Sequence, residues 1–235
     1  NGQCCGVNGG AMGREEAIAR IGATWPLSWC EVVVRRFVVR GYSVLAVDDV
    51  SMIVESGTMV AIAGPSGSGK STLLAILGCL DQQTSGNVRV GGYEISQLSR
   101  RDRRRLRRNT VAMVLPQPAD NLLVARTGLE NLANAMRHRG VPKAPIDGDF
   151  LQGIIASVDL GSFVDRTAGT MSGGEQQRLA LACSLVGGTS LVLVDEPTGA
   201  LDNDNAARVV QALTNATARG ATIVVATHDP NVIDA

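Results

Sequence analysis

The feature that most constrains this chain is a glycine-rich loop, GPSGSGKST, at positions 64–72. It fits the pattern G-x-x-x-x-G-K-[ST], in which the glycines let successive backbone N–H groups point at phosphate oxygens. The run Met59–Ala63 predicts a buried strand leading into the loop. Lys70–Leu80 predicts a helix leading out of it, whose N-terminus favours an anion. The flanking strand and helix favour a phosphate-binding loop over a simple Gly/Ser-rich turn.

Each loop residue is a candidate contact for a nucleotide phosphate. Lys70 is expected to reach the β- and γ-phosphates, and the Ser71 hydroxyl is expected to ligate Mg²⁺. The predicted phosphate-binding residues are Gly64, Pro65, Ser66, Gly67, Ser68, Gly69, Lys70, Ser71 and Thr72.

Composition narrows the class of protein further. The chain has 235 residues, of which 45% are apolar, which suits one large domain or a core with a subdomain. A formal net charge of zero argues against a general polyanion binder. No apolar run reaches the roughly 18 residues of a membrane span, so a partner would have to supply one. Five cysteines without a C-x-x-C spacing indicate a reduced, cytoplasmic protein.

Strands alternate with helices along most of the chain, which predicts an α/β fold with a largely parallel sheet. Residues 1–24 show no clear period and are interpreted as a flexible or artefactual extension. The pair Cys4-Cys5 in that extension is either a lipidation site or part of a disordered tail.

A run of seven arginines lies between Arg100 and Arg108, around Asp102 and Leu106, on a helix for which Ser99 is the expected N-cap. The run is either a nucleic-acid patch or a solvated helix face. The absence of interleaved aromatic residues and the neutral chain favour the solvated face, so no specific nucleic acid is expected.

Two further motifs carry nucleotide chemistry. The apolar run Leu191–Asp195 predicts a central parallel strand that ends in acids. Asp195 would hold Mg²⁺, and Glu196 would polarise the attacking water. The segment MSGGEQQR at 171–178 predicts a turn running into a helix, a second anion site with bare N–H groups. Because the chain already has a phosphate loop, this turn would serve another subunit's nucleotide; a simple helix cap is the alternative.

Taken together, these motifs resemble the nucleotide-binding domain of ABC transporters. The likeness is greatest to the ATPase subunits of the lipoprotein-release, macrolide-export and cell-division type. It covers roughly residues 32–235 and rests on four stretches of text: VDDVSMIVESGTMVAIAGPSGSGKSTLLAILGCLDQQTSGNVRVGG, MSGGEQQRLALA, LVLVDEPTGALDND and IVVATHDP.

The resemblance implies an α/β phosphate-loop NTPase core with a largely parallel sheet. It also implies an N-terminal antiparallel β subdomain and an α-helical signature subdomain. The ATP-binding domain would cover residues 25–235, with the helical subdomain at about 95–170.

The resemblance also implies a role for single residues. Phe37 would stack on adenine, with Tyr42 as the fallback. Glu196 would be the catalytic base, and His228 would contact the γ-phosphate. Asp202 would lie in the loop that meets the partner subunit. The residues that would close over the partner's ATP are Ser172, Gly173, Gly174 and Glu175.

The sequence departs from the family pattern at the glutamine that ligates Mg²⁺. An ungapped match places Pro116 there and Gln117 one residue late. Either Gln117 substitutes after a local shift, or water completes the Mg²⁺ shell. Cys183 also stands where the family has an arginine.

The function that the resemblance implies is an ATP-binding and ATP-hydrolysing subunit that drives a separate integral-membrane permease. ATP and Mg²⁺ would be the cofactors, and a second ATPase subunit, expected to be an identical copy, would complete each site. The subunit would be cytoplasmic, held on the inner face of the membrane by the permease. The alternatives are a non-transport ABC ATPase, a regulator of a membrane-bound cell-envelope complex, and an ordinary phosphate-loop kinase.

Overall fold

The structure is a computed structural model that describes residues 3–6, 28–39, 42–138 and 148–235. Its strands are β1 (Gln3–Gly6), β2 (Ser28–Val39), β3 (Tyr42–Val54), β4 (Met59–Ala63), β5 (Ser85–Val90), β6 (Tyr93–Glu94), β7 (Val111–Val114), β8 (Leu191–Asp195) and β9 (Thr222–Thr227). Its α-helices are α1 (Lys70–Leu77), α2 (Arg100–Asn109), α3 (Gly128–His138), α4 (Gly148–Ser157), α5 (Gly173–Leu185), α6 (Asn203–Ala218) and α7 (Pro230–Ile233).

A parallel sheet forms the centre of the domain, with the strand order β1-β4-β9-β8-β7. All residues of β8 and β9 are buried, as expected for parallel strands that are covered on both faces. Their side chains alternate between two apolar cores. Leu193 and Val224 pack on the side of α1, whereas Val192 and Val225 pack on the side of α5 and α6. The α/β fold predicted from the alternation of strands and helices is confirmed.

A second, antiparallel sheet has the order β3-β2-β5-β6. The long strands β2 and β3 form a hairpin whose register shifts between Cys30 and Arg36. Buried side chains of this sheet, among them Val33, Val54 and Val88, join the core on the α1 side of the parallel sheet. The N-terminal antiparallel subdomain is therefore present and packs on the phosphate-loop side of the core.

The range of about 95–170 that was predicted as the helical subdomain also contains elements of the core, and the boundaries of that subdomain stay a prediction. Val111–Val114 within that range is β7, a strand of the parallel sheet that pairs with β8. Helix α2 also belongs to the core, because its one buried residue, Leu106, shares a cluster with Val111. The helices that pack on the opposite side of the parallel sheet from α1 and α2 begin only after β7.

The N-terminal extension contains an element that the sequence did not indicate. Gln3–Gly6 pairs in parallel with Val60–Ala63 at the edge of the sheet, and Cys4-Cys5 lies on this strand. The remaining residues predicted as an extension, 1–2 and 7–24, lie outside the described part of the chain. None of the helices in the described ranges has the length and apolar character of a membrane span.

Helix α1 ends at Leu77, three residues before the predicted end at Leu80. Gly78 is its C-cap and Cys79 has a left-handed backbone (φ 55°). The N–H of Leu80 turns back to the Ala75 carbonyl at 2.8 Å. The apolar pattern continues past Gly78, but this turn ends the helix.

Candidate functional site

The glycine-rich loop closes tightly around the start of α1. Gly67 and Gly69 have left-handed backbones, with φ of 80° and 91°. A Cβ at Gly69 would collide with the Ala46 carbonyl oxygen of β3, so only glycine fits there. This contact also holds the β2–β3 hairpin against the loop.

Lys70 is buried, with only 5% of its side chain exposed, and its ammonium lies at the centre of the loop. The Nζ donates to the carbonyl oxygens of Gly64 at 2.7 Å and Pro65 at 3.1 Å. It also pairs with Glu196 Oε1 at 3.2 Å. Because a buried ammonium is costly without partners, these contacts offset the cost of its burial and hold Lys70 pointed into the loop.

Glu196 connects the loop to the far end of the sequence. Its second oxygen, Oε2, lies 2.9 Å from Nδ1 of His228. Glu196 follows β8 and His228 follows β9, and these strands are neighbours in the sheet, with Asp195 opposite Ala226. Carboxyl ends of parallel strands meet at one edge, which is where α/β proteins bind ligands. The structure thus brings together Lys70, Glu196 and His228, and their roles toward ATP stay predictions.

The backbone of Glu196 is in the left-handed region, with φ of 45°. Its N–H donates to the Ala226 carbonyl at 2.8 Å, so the turn is held by β9. Left-handed backbone in a non-glycine residue is costly and concentrates at functional sites.

Asp195 is 4% exposed and lies against Ser71. Burial raises the pKa of the Asp195 carboxyl, while the Ser71 hydroxyl acts in the opposite direction. Asp195 Oδ1 is buried without a hydrogen-bond partner among the described residues. An unsatisfied carboxylate oxygen beside a hydroxyl is a donor set that a hard cation such as Mg²⁺ prefers, so these residues fit the ion.

Phe37 lies on β2 opposite Val44, in the hairpin that contacts the loop. The guanidinium of Arg35 sits 4.3 Å from the centre of its ring. Asp81 holds that guanidinium with two hydrogen bonds of 2.9 and 2.8 Å. Arg35 and Asp81 orient the predicted adenine platform. Sequence reasoning missed both because they are 46 residues apart. Tyr42, the fallback, is 79% exposed.

The signature turn lies on a separate surface. Ser172 caps α5 in a capping box: its Oγ accepts from the Glu175 N–H at 3.3 Å, and Glu175 Oε2 accepts from the Ser172 N–H at 2.8 Å. Ser172 and Gly173 are exposed, whereas Gly174 is buried. In the described ranges, no hydrogen bond or ion pair joins this turn to the phosphate loop or to Glu196.

Asn205 links the signature turn to the predicted partner-facing loop. A Cβ at Gly174 would lie 2.6 Å from Asn205 Oδ1, so α5 and α6 approach closely here. Asp202 caps α6 by accepting from the Asn205 N–H at 2.9 Å, and this hydrogen bond lowers the pKa of Asp202. Asp202 and Ser172 therefore lie on the same side of the domain.

Gln117 is exposed and its loop is pinned by another residue. Asn121 accepts from the Leu115 N–H at 2.7 Å and donates to the carbonyls of Leu115 and Gln117, both at 3.0 Å. Pro116 is also exposed. The structure does not bring the Gln117 side chain to Ser71 or Asp195 by any hydrogen bond in the described ranges, and its metal role stays a prediction.

A groove of about 520 Å³ runs between β7, α3 and α5. Its apolar lining includes Leu80, Met113, Leu115 and Leu123. Cys183 lies in it, and burial raises the pKa of its thiol to about 12. Three of these residues, Leu80, Leu115 and Leu123, are exposed apolar side chains.

A phosphate loop between β4 and α1, facing two acids at the end of β8, defines the class of phosphate-loop nucleotide hydrolases. The sequence model of the family described as ABC transporter matches residues 47–199. The chain belongs to this family and is its ATP-binding cassette, an ATPase domain.

Similar proteins agree with this assignment. The macrolide export ATP-binding/permease protein MacB of Burkholderia thailandensis is 38% identical over 88% of the chain and 31% of its own length. MacB of Psychrobacter arcticus is 33% identical over 94% of the chain and 33% of its own length. The chain thus spans about a third of the length of these relatives.

Solved cassettes share the fold. The dimeric bacterial ABC transporter cassette MJ0796 superposes with a TM-score of 0.75 at 31% identity, over 88% of this chain and 90% of that one. A second dimeric structure of MJ0796, in a post-hydrolysis state bound to ADP and Pi, gives a TM-score of 0.73 at 31% identity, over the same shares of both chains.

Proposed function

We propose that two copies of this cassette bind two ATP molecules between them and hydrolyse them to drive a membrane permease. The observation that carries the proposal is the chain of contacts from Lys70 through Glu196 to His228 at the mouth of the phosphate loop. This arrangement joins a phosphate-binding cation to a carboxylate that can accept a proton from water.

The phosphate loop binds the β- and γ-phosphates through its backbone N–H groups and Lys70. Lys70 Nζ contacts two loop carbonyls and Glu196. Phosphate oxygens compete for the same ammonium, which releases Glu196 to orient the attacking water. His228 holds the other carboxylate oxygen and thereby fixes the direction of Glu196.

Ser71 and Asp195 are the residues that would hold Mg²⁺. The ion supplies charge neutralisation on the phosphate oxygens during in-line transfer. Asp195 contributes the buried oxygen that has no other partner. Phe37, oriented by Arg35, stacks on the adenine.

The second half of each site comes from the partner copy. Ser172 and Gly173 are exposed and face no phosphate loop of their own chain. The helix that they begin has 13 residues, so its N-terminus offers free N–H groups to an anion. That the similar cassette MJ0796 was solved as a dimer supports this arrangement.

The apolar groove beside β7 is the surface for the permease. Relatives described as ATP-binding/permease proteins extend well beyond the matched cassette, so a permease part is the expected occupant. Exposed Leu80, Leu115 and Leu123 give the groove an apolar rim that a permease segment would cover. The relatives' descriptions favour transport over translation or DNA repair.

The test is a size measurement on Glu196→Gln, which keeps the side-chain volume but removes the base. We expect this variant to form a stable dimer with Mg-ATP and to revert to monomer with Mg-ADP. Failure to dimerise despite bound ATP would exclude the shared-site arrangement.

A further inference from the structure

Helix α2 concentrates positive charge that the ATP site does not use. It carries seven arginines in ten residues, against a single acid, Asp102. The whole chain is neutral, with 22 basic and 22 acidic residues, so this helix is a local exception.

Five of the seven arginines form one continuous solvent-facing surface, here called the arginine face: Arg100, Arg101, Arg104, Arg105 and Arg108 are all exposed. At about 100° per residue, these positions span an arc of roughly 140° on the helix. Leu106, the buried residue of α2, lies opposite the middle of this arc. Asp102 falls outside it.

The arginine face has no counterions among the described residues. Its members form no ion pair there, and the neighbouring acids are already engaged. Asp102 accepts from the Ser99 hydroxyl at 2.5 Å, and Glu94 accepts from Ser96 and Gln97 at 2.9 and 3.0 Å. The positive electrostatic potential of these five arginines is therefore not neutralised by nearby acidic residues of the described ranges.

The remaining two arginines anchor α2 beside the apolar groove. Arg107 donates to the Cys79 carbonyl at 2.6 Å. Arg103 and Arg107 both lower the pKa of the Cys79 thiol, which burial nevertheless raises to about 11, so both lie near it. Leu80, the next residue, is 57% exposed and lines the groove. Helix α2, which carries the arginine face, is thus held beside the rim that we assign to the permease.

We propose that the arginine face of α2 binds the anionic phospholipid headgroups of the membrane in which the permease lies. Clusters of four to eight basic residues beside a membrane surface attract anionic lipid, at about 1 kcal/mol for each residue. This inference rests on the proposed function only in placing α2 near a bilayer.

Lipid is favoured over single-stranded nucleic acid by the composition of the helix. Proteins that bind such strands interleave basic residues with aromatic side chains on which bases stack. The sequence of α2, RRDRRRLRRN, has no aromatic residue. Headgroup phosphates need only charge and N–H donors, which arginine supplies in a planar fork.

The experiment is co-sedimentation of the 235-residue chain with vesicles of phosphatidylcholine alone or mixed with phosphatidylglycerol. The test variant is Arg101→Gln/Arg104→Gln/Arg108→Gln. The matched control is Arg137→Gln/Arg208→Gln/Arg219→Gln, which removes three exposed arginines elsewhere and leaves the same net charge. All samples are also assayed for thermal stabilisation by Mg-ATP.

We expect binding to the mixed vesicles only, weakened by salt, with about a hundred-fold loss in the test variant and none in the control. Equal binding to both vesicles, or equal losses in both variants, would overturn the proposal. So would displacement from the vesicles by a single-stranded RNA that requires the same three arginines. Retained Mg-ATP stabilisation without lipid binding would reject the lipid site alone and leave the ATP site intact.

Discussion

Two regions of this domain lie at a helix N-terminus: residues 64–72 with Asp195 and Glu196, here called the phosphate-loop corner, and residues 172–175, here called the signature corner. They differ in how many partners their polar groups have within the chain. At the first corner, Lys70 and Asp195 are about 5% exposed and already contact other groups of the site. At the second, Ser172 and Gly173 are exposed, and the side-chain hydrogen bonds of Ser172 within the described ranges stay inside its own helix. This difference is what the proposed shared site requires: one corner with partners inside the chain, and one whose exposed groups are free to meet a second copy.

The strongest test of this contrast removes the buried cation. Lys70→Ala should abolish thermal stabilisation by Mg-ATP and lower ATPase activity by about a thousand-fold or more, since the phosphates lose their fixed charge. Stabilisation by Mg-ATP that survives in this variant would mean that the first corner is not the nucleotide site.

The second-largest effect is expected from removing the hydrogen bond between Glu196 and His228. His228→Ala should lower ATPase activity about a hundred-fold while leaving ATP binding intact, because Glu196 would lose the hydrogen bond that orients its carboxylate. His138, the only other histidine, is exposed on α3, so His138→Ala serves as the control. Weaker ATP binding in His228→Ala with an unchanged turnover rate would contradict this role.

A pair of matched serines tests whether the signature corner does more than cap a helix. Ser172→Ala and Ser99→Ala each remove an N-cap hydroxyl and should each cost about 1 kcal/mol of stability. Only Ser172→Ala should also slow ATP hydrolysis, by about ten-fold, and weaken the Mg-ATP dimer. If both variants hydrolyse ATP equally fast, Ser172 is a structural cap alone.

The smallest effect concerns the stability of the first corner. Burial raises the pKa of Asp195 above its value in the unfolded chain. The ionised carboxylate therefore destabilises the nucleotide-free chain as the pH rises through that raised value, and the penalty is absent in acid.

Asp195→Asn should accordingly raise the Tm of the nucleotide-free chain at neutral pH, by about 2–4 °C for each kcal/mol removed, and not at acidic pH. It should also abolish the dependence of ATP binding on Mg²⁺. Asp234→Asn, at an exposed carboxylate, is the control. A lower Tm at neutral pH would show that Asp195 stabilises the free chain.

The sequence predicted the elements whose signals are local. The phosphate loop, the strand Leu191–Asp195 and the Ser99 cap depend on residues close together in the chain, and all three are present. The contacts among Lys70, Glu196 and His228 depend on strand order, which periodicity does not encode. The family resemblance implied only a separate role for each of them at the nucleotide.

Other features could not be predicted because they depend on distant partners. Arg35 finds Asp81 across 46 residues, and Asn205 fits against Gly174 through the packing of two helices. Strand β1 has no pattern of its own and exists only as an edge pairing to β4. The sequence shows a proline at position 116, where the family has a glutamine. It does not show the Asn121 hydrogen bonds that hold this loop.

The left-handed backbone of Glu196 bears on how this protein can be improved in the laboratory. A glycine there would relieve a strain of about 1–3 kcal/mol, but it would also leave the buried ammonium of Lys70 without its carboxylate partner. The two effects on the free energy of unfolding oppose each other. A library selected for heat resistance should therefore be screened for turnover at every round, because stability alone does not report on this position.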